Sequence, residues 1–546
     1  MRQTSCNQFI GAKATIFVAI GLIAALGSAC SGLESAGDPV DHSTPDEKQP
    51  VTKNNTSPNN NNNNNNNNYE YDIGGYYDSG SSEGDYLEPI IPDNSHPDFV
   101  ENEFIETSVE NTSTFSVDVN TASYTIMRSE LNRGRLPGAD SVRTEEYINF
   151  FRYQYPEPID QPFSVNMEIA PSYFGAADSA RHLMRIGVKG RDVSLAEMLP
   201  SNLVFLVDVS GSMSSSNRLP LAKQALLLML EHLRDDDTVA IQTYASGSTT
   251  VLTPTPVRER AKIAAAITGL VAEGATHAEG GIVQAYNLAE QAKIEGGNNR
   301  VIILTDGDFN VGKTGEALVD LVRDYRDRHI SLTCVGFGHG NYNDQTMEAL
   351  ARDGNGNYFY IDTLAEAKRI FGTHLPSTIE VIAADVKLQV EFFSESVLRY
   401  RLIGYEKRLL ANSDFENDAK DAGEVGPGHT VTAFYEIELT EGATEEQPFL
   451  AEVRVRHKSQ YGADSIESSH GIKMSQVRDS FDDASEGFRF AAAVTEFASI
   501  LRQSKFSEGA RFDEVRTIAA AAAYADNAEQ QEFLELVEKA KALWPE

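Results

Sequence analysis

The sequence predicts an α/β protein: a doubly wound, mostly parallel sheet with flanking β-sandwich and helical modules. Three observations carry this. Across 200–376, short continuous apolar runs alternate with amphipathic helical stretches, the pattern of a parallel sheet covered on both faces. On either side of that region the apolar residues recur with period two, as in strands with one buried face. The last stretch is Ala-rich with helical spacing.

In chain order, Arg2 and Lys13 precede an apolar run over 14–26, shorter than the roughly 20 residues that cross a bilayer. Residues 1–29 therefore read as a secretory leader. The leader ends in Leu26-Gly27-Ser28-Ala29-Cys30, which resembles the lipobox of bacterial lipoproteins. That resemblance implies that Cys30 is lipidated and becomes the mature N-terminus, anchoring the chain extracytoplasmically in the cell envelope. The alternative is ordinary cleavage that leaves Cys30 a free thiol. Ser31 resembles outer-membrane sorting more than inner-membrane retention. Residues 30–100 are polar, with unbroken asparagine from Asn59 to Asn68, and cannot bury enough apolar surface to offset the entropy of ordering. They predict a flexible tether.

An N-terminal module is expected over 101–195, with helices at 122–132 and 142–151 and strands at 163–169 and 182–188. The α/β region, 200–376, reads as strands at 203–207, 239–244, 301–305, 330–337 and 357–361. Between and after them come helices at 219–233, 258–270, 280–293, 315–328, 344–352 and 364–374. From 379 to 546 period-two runs such as VKLQVEFF and TVTAFYEIEL predict a β-rich module, and 485–501 and 512–543 are helical. Strands on both sides of the α/β region lead to the expectation that it is inserted into one shared sandwich.

At 546 residues the chain has room for two to four domains. Lys and Arg total 46 against 81 Asp and Glu, a formal charge of -35, which disfavours nucleic acid as a partner. Proteins, cations or basic surfaces remain. The three cysteines, Cys6, Cys30 and Cys334, allow no internal disulfide in the mature chain unless Cys30 and Cys334 pair. Cys334 lies in an apolar run and reads as a small buried hydrophobe.

The chemistry concentrates where the apolar run NLVFLVD ends on Asp208 and passes into Ser210, Gly211 and Ser212. A carboxylate followed at +2 and +4 by hydroxyls can hold a hard divalent cation with few charges. In an open α/β sheet ligands collect at the carboxyl ends of the strands. Two further loops there carry oxygen donors, Gly274-Ala275-Thr276 and Leu304-Thr305-Asp306-Gly307. Asp208-Val209-Ser210-Gly211-Ser212, Thr276 and Asp306 resemble the metal-ion-dependent adhesion site of von Willebrand factor type A domains, a Rossmann-like fold. The resemblance implies that Ser210, Ser212 and Thr276 coordinate the ion, with Asp208 and Asp306 binding it directly or through water. Oxygen ligands suit Mg²⁺ first, with Ca²⁺ or Mn²⁺ as alternatives. With two carboxylates only, the ion keeps Lewis acidity for a carboxylate from a partner protein. The plainer alternative is that the three hydroxyls cap helices, which leaves the two strand-end aspartates unexplained.

The runs FSVDVNTASYTIMRSELNRGRLP, LTDGDFNVG and RLIGYEKRLL are similar to a bacterial group in which a type A domain lies between a characteristic N-terminal region and a C-terminal domain of unknown function. The group is sometimes described as calcium-activated chloride channel homologues, a label that implies no pore here, since no second apolar run is long enough to span a membrane. Gly307 to Thr314 also matches the G-x-x-x-x-G-K-[ST] phosphate loop, but Asp306 and Asp308 oppose polyphosphate. His277 beside Thr276 reads as a solvated loop residue. Ser210 and Ser212 lack the G-x-S-x-G elbow, Asp208 has no second acid at +2, and no H-E-x-x-H occurs. The expected function is metal-dependent binding of another protein, without enzymatic activity. The alternatives are a nucleotide hydrolase using Lys313 and a surface scaffold with a structural ion.

Overall fold

The apolar run before the candidate centre forms the strand Ser201–Asp208, in which every residue is buried. Successive side chains of a strand point to opposite faces. Leu203, Phe205 and Val207 accordingly pack with Leu226 and Met229 of the helix Leu219–His232. Val204 and Leu206 pack with Ile282 and Tyr286 of the helix Glu279–Gln291 on the other side.

In the computed structural model the described residues are 100–117, 120–174, 181–275, 279–307, 315–338, 344–444, 449–460 and 462–545. The expected leader, Cys30 and the expected tether as far as residue 99 lie outside the described residues. Among those described, Ser201–Asp208 lies in a six-stranded sheet in the order Tyr358–Ile361, Ser331–Phe337, Asn298–Thr305, Ser201–Asp208, Thr238–Tyr244, Ser248–Pro256. Neighbours are parallel except the last pair. From Ser201–Asp208 the chain moves first to one side and later to the other, which opens a crevice at the carboxyl ends of these strands. The α/β class, with its mostly parallel sheet, stands as the sequence predicts.

The strands before and after this region are interleaved. One sheet runs Ile105–Glu106, Val397–Ile403, Thr430–Leu439, Arg181–Gly190, Phe163–Pro171. Another runs Leu409–Leu410, Thr112–Ser116, Ala383–Phe392, Ala451–Lys458, Ser465–Ile472. Met184, Ile186 and Tyr435 of the first share a core with Phe115, Leu388 and Val453 of the second. The segments 101–195 and 379–546 thus build one sandwich with the α/β region inserted between them. A helical layer completes this body: Tyr124 stacks on Phe150 at 3.9 Å, and Phe151 meets Phe490 and Phe533 edge to face.

Several elements differ from the sequence reading, among them the strand Thr112–Ser116, which it does not include, and the helix expected over 142–151, which spans only Thr144–Ile148. The edge strand Ser248–Pro256 forms where the sequence reading assigns no element. The expected helix over 364–374 breaks into Leu364–Lys368, a π turn over Arg369–Thr373 and the short helix Leu375–Ile379, in which Pro376 cannot continue the preceding helix's hydrogen bonds. The stretch 512–543 forms two helices, Phe512–Ala522 and Ala528–Leu543, the second capped by the Asn527 side chain.

Candidate metal centre

Asp208 ends its strand fully buried, and its two carboxylate oxygens are fixed separately. Oδ1 accepts the Ser210 backbone N–H at 2.8 Å. Oδ2 accepts the Tyr244 hydroxyl at 3.1 Å and the Thr305 hydroxyl at 3.2 Å. Tyr244 is the register partner of Asp208 on the neighbouring strand, and Thr305 ends the strand on the other side. Burial pushes the Asp208 carboxyl above its ordinary range, hydrogen bonds from Ser210 hold it down, and the charge of Asp306 pushes it up.

Immediately beyond, the Ser210 and Ser212 hydroxyl oxygens lie 2.9 Å apart. Ser210 makes no side-chain capping bond to the turn Gly211–Ser214 that follows it. The capping alternative therefore fails at Ser210. Asp306 follows the strand Asn298–Thr305 and is 5% exposed. Its Oδ2 pairs with the Arg218 guanidinium at 2.8 Å, and its Oδ1 is buried with no hydrogen-bond partner among the described residues. Buried polar atoms nearly always have a partner, so this oxygen marks a place for one.

The third loop is laced to the first. Glu273 N–H donates to the Val209 carbonyl at 2.7 Å and Gly211 N–H to the Gly274 carbonyl at 2.9 Å. Gly274 has φ of +91°, and a Cβ there would lie 2.6 Å from the Ser246 hydroxyl, which accepts the Ala275 N–H at 2.8 Å. The backbone is thus held against the centre as far as Ala275. Thr276 and His277 lie outside the described residues, as do Asp308 and Lys313 of the phosphate-loop match.

The structure therefore brings Asp208, Ser210, Ser212 and Asp306 together. It adds Tyr244 and Thr305 as donors to Asp208, and Arg218 as counter-ion to Asp306. Position at the strand ends could have flagged the first two, whereas Arg218 carries no local signal. Among the described residues no three His, Cys, Asp or Glu side chains converge to hold a metal, so an ion here depends on hydroxyl oxygens. The residues fit one: two adjacent hydroxyls, a partnerless carboxylate oxygen, and hard donors throughout.

A doubly wound sheet with this donor set at its switch point defines a von Willebrand factor type A domain protein. The von Willebrand factor type A domain model matches 202–373, a von Willebrand factor model matches 91–185, and a model described as the C-terminal part of the uncharacterized protein YfbK matches 377–543. The chain is 36% identical over 455 residues to the uncharacterized protein YfbK of Escherichia coli (strain K12), covering 78% of this chain and 77% of that protein. It belongs to the YfbK family. It is also similar to the uncharacterized protein sll0103 of Synechocystis sp., 31% identical over 199 residues, which are 36% of this chain and 46% of that one. Human inter-alpha-trypsin inhibitor heavy chain H3 is 26% identical over 228 residues, 40% of this chain and 23% of its own. Among solved structures, a von Willebrand factor type A protein from Catenulispora acidiphila is 16% identical with a TM-score of 0.42, covering 72% of this chain and 97% of that one. A type A domain points to protein–protein interaction, and such domains often bind a divalent cation at this position.

Proposed function

We propose that this chain is a lipid-anchored, extracytoplasmic protein that binds a partner protein through a divalent cation held at the centre described above. The observation that carries the metal reading is the partnerless Asp306 Oδ1 beside Asp208 and the paired hydroxyls of Ser210 and Ser212. Ser210, Ser212 and Thr276 would hold the ion, backed by Asp208 and Asp306. When bound, the ion supplies Lewis acidity toward an outside carboxylate.

The Ser210 and Ser212 hydroxyls are hydrogen-bonded to each other at 2.9 Å, and neutral oxygen donors backed by two carboxylates suit Mg²⁺ first, with Ca²⁺ or Mn²⁺ as alternatives. The chain's own groups do the rest: Tyr244 and Thr305 aim Asp208, and the lacing of 209–211 to 273–275 sets the third loop.

The anchor rests on Cys30 and the leader before it, and outer-membrane placement on Ser31. Among the described residues no helix is long and apolar enough to cross a membrane. The grouping with the bacterial chloride channel homologues belongs to the same reading and rests on the quoted sequence runs. We read the role as binding and not catalysis.

The test is capture of partners from envelope extract on the full chain, with Mg²⁺ and with chelator, and for Asp208→Ala and Thr276→Ala variants shown to be folded by circular dichroism. Capture that needs Mg²⁺ and both side chains supports the reading. Capture that persists with chelator and in both variants leaves the ion a structural role at most.

A further inference from the structure

Arg218 sets a guanidinium directly on the candidate centre. One nitrogen, Nη1, forms an ion pair with Asp306 Oδ2 at 2.8 Å and donates to the Ser212 carbonyl at 2.7 Å. The same group thus grips one prospective carboxylate ligand and the backbone of one prospective hydroxyl ligand. The side chain is 18% exposed and Asp306 is nearly covered.

The arm that delivers this charge has a built seat. Arg218 immediately precedes the helix Leu219–His232, and its stem crosses Gly338, at the end of the strand Ser331–Phe337. A Cβ at Gly338 would lie 2.3 Å from Arg218 Nε, 2.6 Å from Cγ and 2.9 Å from Cδ. With φ of +79° as well, the position suits glycine on two counts.

Asp208 and Asp306 together balance one dication. A guanidinium is a permanent charge, so Arg218 adds a positive charge beside Asp208, Asp306 and the ion they would hold, on a chain whose formal charge is -35. We propose that Arg218 is a specificity-determining residue: it weakens the hold on the cation and gives the loaded centre the positive charge that selects a carboxylate-bearing ligand. Arg218 engages Oδ2 while Oδ1 of Asp306 is buried with no hydrogen-bond partner among the described residues, so one carboxylate can serve guanidinium and cation together. The inference rests on the metal reading above and goes beyond it by assigning the anion preference to a residue outside the donor set.

Two opposite effects follow from removing the charge. Like-charge repulsion on the cation disappears, so its affinity rises, while an incoming carboxylate loses part of the field that draws it. A purely supporting role for Arg218 would weaken both.

The experiment uses the full chain, Mn²⁺ as the probe ion, titrated calorimetrically and by water-proton relaxation, and acetate as the probe carboxylate on the Mn²⁺-loaded protein. Arg218→Met keeps the stem against Gly338 and removes the charge; it is expected to tighten Mn²⁺ and weaken acetate, each by about tenfold. Arg218→Lys is expected to return both values toward wild type. Should the Met variant not fold, Arg218→Gln, which keeps a donor for Asp306 and the Ser212 carbonyl, takes its place with the same expected signs. Weaker Mn²⁺ binding in the neutral variant, or unchanged acetate affinity, overturns the proposal while leaving the metal site intact. Absence of any Mn²⁺ binding that is lost in Asp208→Ala removes the metal reading itself, and this inference with it.

Discussion

Asp208 shows how a residue legible in the sequence acquires its setting from elsewhere. Its place at the end of an apolar run and its +2 and +4 hydroxyls are local, but the Tyr244 and Thr305 hydroxyls reach it from two other strands. A second residue-scale effect has no sequence signal. His429 accepts the Gly426 N–H on Nδ1 at 3.0 Å. Burial, with Arg152, Arg300 and Arg369 facing it, lowers its pKa from the ordinary 6.5 to about 3. His374 is driven down by burial and by the same Arg152 and Arg369, with His429 beside it. A histidine held neutral in the folded state binds fewer protons there than when unfolded. Its contribution is therefore intact above the unfolded value and falls as pH drops from about 6.5 toward the folded value. By pH 5 the His429 share amounts to about 2 kcal/mol. Urea denaturation at pH 7.5 and pH 5 should show a smaller loss of stability in His429→Gln than in wild type. The same loss in both proteins would mean that His429 is not held neutral.

At the scale of elements, the strands of the central sheet were legible because they are continuous apolar runs, and their flanking helices because of 3.6-residue spacing. Ser248–Pro256 was not legible. As an edge strand it is largely exposed and carries Pro254 and Pro256, which a central strand would exclude. The turn from the helix Asp344–Asp353 into Tyr358–Ile361 is likewise a tertiary matter. It runs flat against the neighbouring strand, with Leu332 N–H donating to the Gly354 carbonyl at 2.8 Å and Cys334 N–H to the Asn357 carbonyl at 2.9 Å. A Cβ on Gly356 would lie 1.9 Å from the Leu332 carbonyl oxygen. Gly356→Ala must therefore move backbone, and should cost more than about 4 kcal/mol or abolish soluble expression. Gly134→Ala is the control: its φ is +74° with nothing within 4 Å of the added carbon, and its cost should stay at about 1–2 kcal/mol. Equal melting temperatures for the two variants would refute the close approach at Gly356.

At the scale of the whole molecule, buried charge ties the three regions of the chain together. Arg128, on the helix Ala122–Asn132, reaches Asp362 at 2.6 Å, Glu366 at 2.9 Å and Glu532 at 3.1 Å. Arg143 bonds both Glu146 and Asp344, the latter through Nη2 at 3.1 Å as well. Arg128→Met leaves Asp362 buried without its cation, whereas Glu366 keeps Arg369 at 2.6 Å. The expected cost is about 3 kcal/mol, read as a lower urea midpoint, with part of it recovered in Arg128→Met/Asp362→Asn. No recovery in the double variant would show that the loss is one of packing, not of charge pairing. The sequence alone determined the α/β class, the period-two strands on either side of it and the acid and hydroxyl positions at the carboxyl ends of the strands, because apolar period and short motifs are local properties. Only the tertiary structure decided which groups complete the centre. Arg218, Tyr244 and Thr305 meet Asp208 and Asp306 across strands and a helix start far apart in the chain, and only the strand order of the doubly wound sheet brings them within hydrogen-bond reach.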